Sequence, residues 1–165
     1  MLQLKFSNDK LEIFEEEPSY KLINWYRKEK LYLAMPYMIY YVGRYSVKHR
    51  YLETVGMSDS PVNEDPKISP PVLPNTYGWR LCGTGYGYTP KHAITRYWHS
   101  SFTNDGKAAN HPTWRHLSMI SGRSLMGKRS ILQWWEENLD LESVLELPYW
   151  KENHYLELPH LKHYF

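Results

Sequence analysis

Leu31-Tyr32-Leu33-Ala34-Met35-Pro36-Tyr37-Met38-Ile39-Tyr40-Tyr41-Val42-Gly43-Arg44-Tyr45 is the stretch that sets the fold class. Aromatic and β-branched side chains at this density suit a pleated, half-buried surface. Pro36 cannot donate to a ladder, so the stretch reads as two strands broken there, with Gly43 as a candidate bulge. Upstream, Leu2, Leu4 and Phe6 alternate with polar residues, as do Leu11, Ile13 and, less cleanly, Phe14 before Glu15-Glu16-Glu17. That alternation predicts strands with one buried face. Tyr20 to Trp25 fits either a strand or a helix, and Tyr51 to Met57 reads as a returning strand after a turn near Val47 to Arg50. Residues 1–57 are therefore expected to be mainly strands.

Ser58 to Pro74 holds prolines at 61, 66, 70, 71 and 74, which no ladder or helix can run through. Neither flank has the residues for a core of its own, so 58–89 is expected to be a proline-rich loop crossing one domain, 1–165. The remainder, 90–165, reads as mainly helical. Pro90 suits a first helical position, and Thr89 before it suits the N-cap. Ala93, Ile94, Tyr97, Trp98 and Phe102 then follow at helical spacing. A second helix is expected over Ser124 to Leu139, where Leu125, Ile131, Leu132, Trp135 and Leu139 form a stripe that runs through Gly127. Asn104 to Gly122 is polar and reads as a loop, and Leu145 to Phe165 follows no single pattern. The fold class is thus α+β, an antiparallel meander packed by helices.

The formal charge of +2 argues against a protein that binds nucleic acid through its overall charge. Local basic clusters remain, Lys48-His49-Arg50 and Arg123 with Lys128-Arg129, and such clusters commonly lie on solvated surfaces. A single cysteine, Cys82, cannot form an intramolecular disulfide. The start, Met1-Leu2-Gln3-Leu4-Lys5, lacks the basic-then-apolar layout of a signal peptide. No apolar run approaches the roughly 20 residues of a membrane span. A cytoplasmic location with no membrane partner is the expectation.

The segment Ser69-Pro70-Pro71-Val72-Leu73-Pro74-Asn75-Thr76-Tyr77-Gly78-Trp79-Arg80-Leu81-Cys82-Gly83 brings a thiol and a side-chain amide near one another along the chain. An ionised thiol is a nucleophile, and an asparagine amide can hold a loop or stabilise an oxyanion. Against this stand two plainer readings, a small buried Cys82 and a turn-forming Asn75.

The segment resembles the active-site loop of ubiquitin-conjugating enzymes, in which prolines lead to a His-Pro-Asn turn and then to the cysteine that accepts ubiquitin. It is closer to a divergent bacterial branch, the PRTRC-system protein B-like proteins. There a Pro-Asn-aromatic segment and a cysteine are followed by a helix with an aromatic-rich Ser-x-Phe-Thr motif, matched here by Tyr97-Trp98-His99-Ser100-Ser101-Phe102-Thr103. The likeness covers Leu31 to Thr103. Leu73 stands where the enzymes have histidine, and the interval from Asn75 to Cys82 is one residue shorter. The resemblance implies that Cys82 forms a thioester with a ubiquitin-like modifier loaded by an activating enzyme, with Asn75 orienting the loop and Tyr77 packing beside it. It implies no metal or organic cofactor. A noncatalytic protein-binding module of the same fold, encoded by a plasmid or phage and holding an unknown protein partner, is the alternative. A thiol hydrolase pairing Cys82 with His92 or His99 is a third reading.

Trp79 sits in a glycine-containing turn beside the cysteine, where an exposed indole would contact a partner. Gly83-Thr84-Gly85-Tyr86-Gly87 lacks the spacing of a phosphate-binding loop and reads as a plain loop. His92, His99, His111, His116, His154, His160 and His163 match no zinc spacing, so no metal site is expected. Trp114, Trp134, Trp135 and Trp150 read as core anchors.

Overall fold

The computed structural model describes residues 1–62, 68–69, 73, 76–77, 80–81, 85–103 and 112–147. The chain opens with a hairpin of β1 (Leu2–Ser7) and β2 (Leu11–Glu16). Asn8 closes it by accepting the backbone N–H groups of Lys10 and Leu11 on its Oδ1 at 2.8 Å, the local bonding that suits Asn to turns. A second hairpin, β3 (Ser19–Trp25) and β4 (Glu29–Met35), settles the ambiguous Tyr20 to Trp25 as strand. Next come β5 (Tyr37–Ser46) and β6 (His49–Ser58), separated from β4 at Pro36 as the sequence predicts.

The remaining elements are short strands and helices. They are β7 (Thr76–Tyr77), β8 (Arg80–Leu81), β9 (Tyr86–Gly87), α1 (Pro90–His99), β10 (Ser101–Phe102), α2 (Pro112–Ser121), α3 (Lys128–Asn138) and a 3-10 turn over Ser143–Glu146. The main sheet runs β1-β2-β5-β6-β9, antiparallel throughout. A smaller sheet runs β10-β3-β4, with β10 parallel to β3, and β7 pairs with β8. The class is α+β. Among the described residues no helix is long and apolar enough to cross a membrane.

From Met38 to Gly43 β5 is buried on both faces, and its period-two alternation sends its side chains into two different cores. Met38, Tyr40 and Val42 join the main core, which also takes Ile23 and Leu33 from the small sheet and Tyr97, Trp114 and Trp135 from the helices. Ile39 and Tyr41 point the other way, onto Leu11, Ile13 and Ile68, with Phe6 and Val62 at the edge. The proline-rich crossing therefore supplies a lid of apolar residues to the second face. It is tied down by Ser69 and Met57, which exchange two backbone bonds of 2.8 Å, and by the Val62 N–H, which Glu15 accepts.

The bulge expected at Gly43 lies elsewhere. The register slips at Tyr45 on β5 and at Glu53 on β6. Gly43 instead makes room for the bulged Glu53, since a Cβ there would stand 2.5 Å from its Oε1. Asn104 to Gly122, read as a loop, contains α2. Trp114 and Leu117, three residues apart, are fully buried and hold that helix to the core, although its surroundings are polar. The last helix begins at Lys128 and not at Ser124, because Gly127 is its N-cap and Ser124 to Gly127 form a turn closed at 2.9 Å.

α3 lies along β4 and occupies groups of its outer edge. The Trp135 indole N–H donates to the Ala34 carbonyl at 2.9 Å, and Glu136 accepts the Tyr32 N–H at 2.6 Å. Arg129 pairs with Glu29 at the start of the same strand. An edge strand so covered presents fewer free groups to another chain.

α1 begins as its sequence predicts, with Thr89 Oγ1 accepting the His92 N–H at 3.1 Å. β9 passes so close that a Cβ on Gly87 would stand 2.7 Å from the Ala93 nitrogen. That neighbour is helix backbone and cannot swing aside, so Gly87→Ala is expected to cost about 1–3 kcal/mol of stability. A lower urea midpoint with an unchanged denaturant slope is the expected readout.

Candidate functional site

Cys82, Asn75 and Trp79 lie outside the described residues. Tyr77 is in β7, its backbone opposite Arg80. What the structure describes is the frame around the cysteine. Leu73, immediately before the last proline of the five-proline stretch, is fully buried in the main core, and Leu81, immediately before Cys82, packs against that core. Gly85, after the cysteine, accepts the Leu52 N–H at 2.6 Å, and a Cβ there would stand 2.4 Å from the Leu52 Cβ. Two described residues, Ser69 before Cys82 and Gly85 after it, are thus bonded to β6.

The second motif, Tyr97 to Thr103, serves packing. Tyr97, Trp98 and Phe102 are buried and in ring contact, with centroids 5.2 to 6.4 Å apart. Ser100 ends α1 by donating through its hydroxyl and its N–H to the Tyr97 carbonyl at 2.6 and 3.1 Å. Phe102 then enters β10, where its carbonyl accepts the Tyr26 N–H at 2.9 Å.

Sequence reasoning missed a polar network beneath these rings. The hydroxyl of the fully buried Tyr40 donates to Glu16 Oε1 at 2.7 Å and accepts the Trp98 indole N–H at 2.9 Å. Lys21 donates to the same carboxylate at 2.8 Å, and its ammonium stands 5.5 Å from the Trp98 ring centre. Burial, reinforced by the Glu16 carboxylate, pushes the Tyr40 hydroxyl well above its ordinary pKa. Hydrogen bonds to a charged group are the stronger kind, so this network fixes α1 against β2, β3 and β5.

A groove of about 670 Å³ opens over the network, walled by Glu16, Lys21, Lys91, Ile94, Trp98 and His99. Its lining joins apolar side chains, Leu2, Leu22, Ile94 and Trp98 among them, to the cations Lys21 and Lys91 and to Glu16, which Lys21 pairs. His92 and His99 both stand on the exposed strip of α1. Among the described residues no group of three or more His, Cys, Asp or Glu side chains gathers at metal-binding distance. Of the tryptophans read as anchors, Trp114 and Trp135 are fully buried and Trp134 is partly so, while Trp150 lies outside the described residues.

Compared with models of known protein families, with curated proteins and with solved structures, the chain matches none.

Proposed function

We propose that this chain carries a ubiquitin-like protein modifier as a thioester on Cys82, on a fold of ubiquitin-conjugating type. The observation that supports the reading is the order of elements. An antiparallel run of strands is followed by a crossing segment fastened at Met57, Leu73, Leu81 and Gly85, and then directly by α1, with Cys82 inside that segment. In the reaction the Cys82 thiolate attacks the acyl carbon of a modifier held as a thioester on an activating enzyme. The new C–S bond forms as the old one breaks, and the activating enzyme's thiolate leaves. An acceptor amine later attacks the Cys82 thioester, releasing the Cys82 thiolate and losing a proton to water. Asn75 stabilises the oxyanion in that step.

The thiol must then be accessible and ionisable. Alkylation of the native protein by iodoacetamide is expected to proceed with a half-maximal rate at a pH below about 8.5, the value of a free thiol. Cys82→Ala abolishes it. A thiol that reacts only after unfolding in urea would overturn the proposal. The noncatalytic protein-binding module has one observation in its favour. Leu73, which stands in the place of the enzymes' histidine, is fully buried and acts as a packing anchor. That reading requires the partner to bind Cys82→Ala as well as it binds the unaltered chain.

A further inference from the structure

We infer that the exposed face made by β6, β9 and the first turns of α1 binds single-stranded nucleic acid. Four rings from three elements form a ladder there. His49 stacks on Tyr86 with centroids 5.5 Å apart and planes 24° from parallel, Tyr88 lies 6.1 Å from His49, and His92 lies 5.9 Å from Tyr88. Tyr88 is 64% exposed and Tyr86 38%, so these rings are not core residues. Both imidazoles are held in place, His49 Nδ1 by the Ser46 hydroxyl at 2.8 Å and His92 Nδ1 by the Tyr88 N–H at 3.4 Å. Rings already oriented lose little freedom when a ligand stacks on them.

The charge of this face selects the ligand. From Gly43 to Leu52 and from Gly85 to Thr103 the sequence contains no Asp or Glu, although the whole chain is nearly neutral. Glu12 engages Arg44 and Arg50 at 3.1 and 3.0 Å, and Glu53 lies over Gly43. Lys48 and Arg96 remain exposed, with no ion pair to a described carboxylate, and the exposed Lys91 stands one residue before His92 on the side of α1 that turns to the neighbouring groove. Arg96 follows His92 by one helical turn, so it extends the ladder along α1. Unpaired cations beside exposed rings are what a polyanion with stackable bases requires, and this combination tolerates any base sequence. An acidic polypeptide satisfies the cations but leaves the rings unused. Duplex DNA keeps its bases stacked inside the helix.

The test is fluorescence anisotropy with labelled dT12, labelled rU12, the dT12·dA12 duplex and poly-glutamate as competitor, on the full chain. Binding of either single strand is expected at a Kd of roughly 1–100 µM at physiological salt, weakening as salt rises. Tyr88→Ala is expected to weaken it by about 5- to 150-fold, the loss of one stacked base. Lys91→Glu with Arg96→Glu is expected to lower the slope of log K against log salt by about 0.7 for each phosphate contact removed. A circular dichroism spectrum and urea midpoint like those of the unaltered chain identify variants that have kept their fold. Cys82→Ala should bind as the unaltered chain does, which separates this inference from thioester carriage. Absence of single-strand binding, equal binding of the duplex, displacement by poly-glutamate at equal charge, or indifference to Tyr88→Ala in a folded variant would each overturn it.

Discussion

Raising the pH above about 10 is expected to lower folding stability steeply, through Tyr40 and Tyr41. Burial raises the pKa of both hydroxyls above the ordinary tyrosine value, and for Tyr40 the Glu16 carboxylate adds to it. Below about pH 10 both phenols are protonated in the folded and unfolded chains alike, so the shift has no effect on stability. Above it the unfolded chain loses these protons while the folded chain keeps them, and each group then lowers stability by about 1.4 kcal/mol per pH unit. Two such groups together lower stability by up to about 3 kcal/mol per pH unit, against the roughly 5–15 kcal/mol that holds a domain together. Urea midpoints measured at intervals from pH 9 to 12 give the slope.

Two variants separate the contributions. The Tyr41 hydroxyl is buried with no hydrogen-bond partner among the described residues. Tyr41→Phe should therefore halve the alkaline slope at little or no cost near neutrality, since it deletes an unsatisfied group. Tyr40→Phe should halve the slope too, but at neutral pH it strips a partner from both the Trp98 indole and Glu16, costing about 1–3 kcal/mol. An alkaline slope unchanged in both variants would place the effect in other groups.

Trp135→Ala is expected to cost about 3–5 kcal/mol, read as a fall in the urea midpoint at pH 7. Trp135 is fully buried, so truncation leaves a cavity between α3 and the small sheet. It also removes the donor to the Ala34 carbonyl. Trp135→Phe isolates the second effect, because it keeps much of the ring's packing and should cost about 1–3 kcal/mol. If Phe and Ala cost the same, the hydrogen bond and not the packed volume dominates the site.

Leu2 to Phe6 and Tyr51 to Met57 were legible as strands, because alternation is imposed by the pleat itself, but the single buried face expected of them is not what they form. Leu4 is 54% exposed, a bulge between Leu4 and Phe6 sets Leu2 and Phe6 against different cores, and Thr54 to Ser58 of β6 are all buried. Tyr20 to Trp25 was ambiguous because β3 leaves Tyr20 half exposed and buries only Ile23 and Trp25 fully. α2 escaped notice because Trp114 and Leu117 carry its burial while Met119 and Ile120 face outward, which blurs the helical stripe. Thr89 and Pro90, by contrast, announce α1 through chemistry that acts within one turn. The network of Glu16, Lys21, Tyr40 and Trp98 had no local signal. Its members come from four elements, and the acidic run looked like the end of a strand. Of the cysteine segment, the sequence indicated the proline-bounded path but not that Leu73 serves as its buried anchor.

The placement of β5 constrains how this molecule comes apart. From Met38 to Gly43 β5 has β2 and β6 as neighbours in the sheet and a separate apolar layer against each face, so that stretch has no solvent-facing side from which it can be peeled. Partial opening has to start at the periphery, at β1, at β9 or in the crossing segment, and spread inward. The amide protons of Met38 to Val42 should accordingly report on the last cooperative unit to yield.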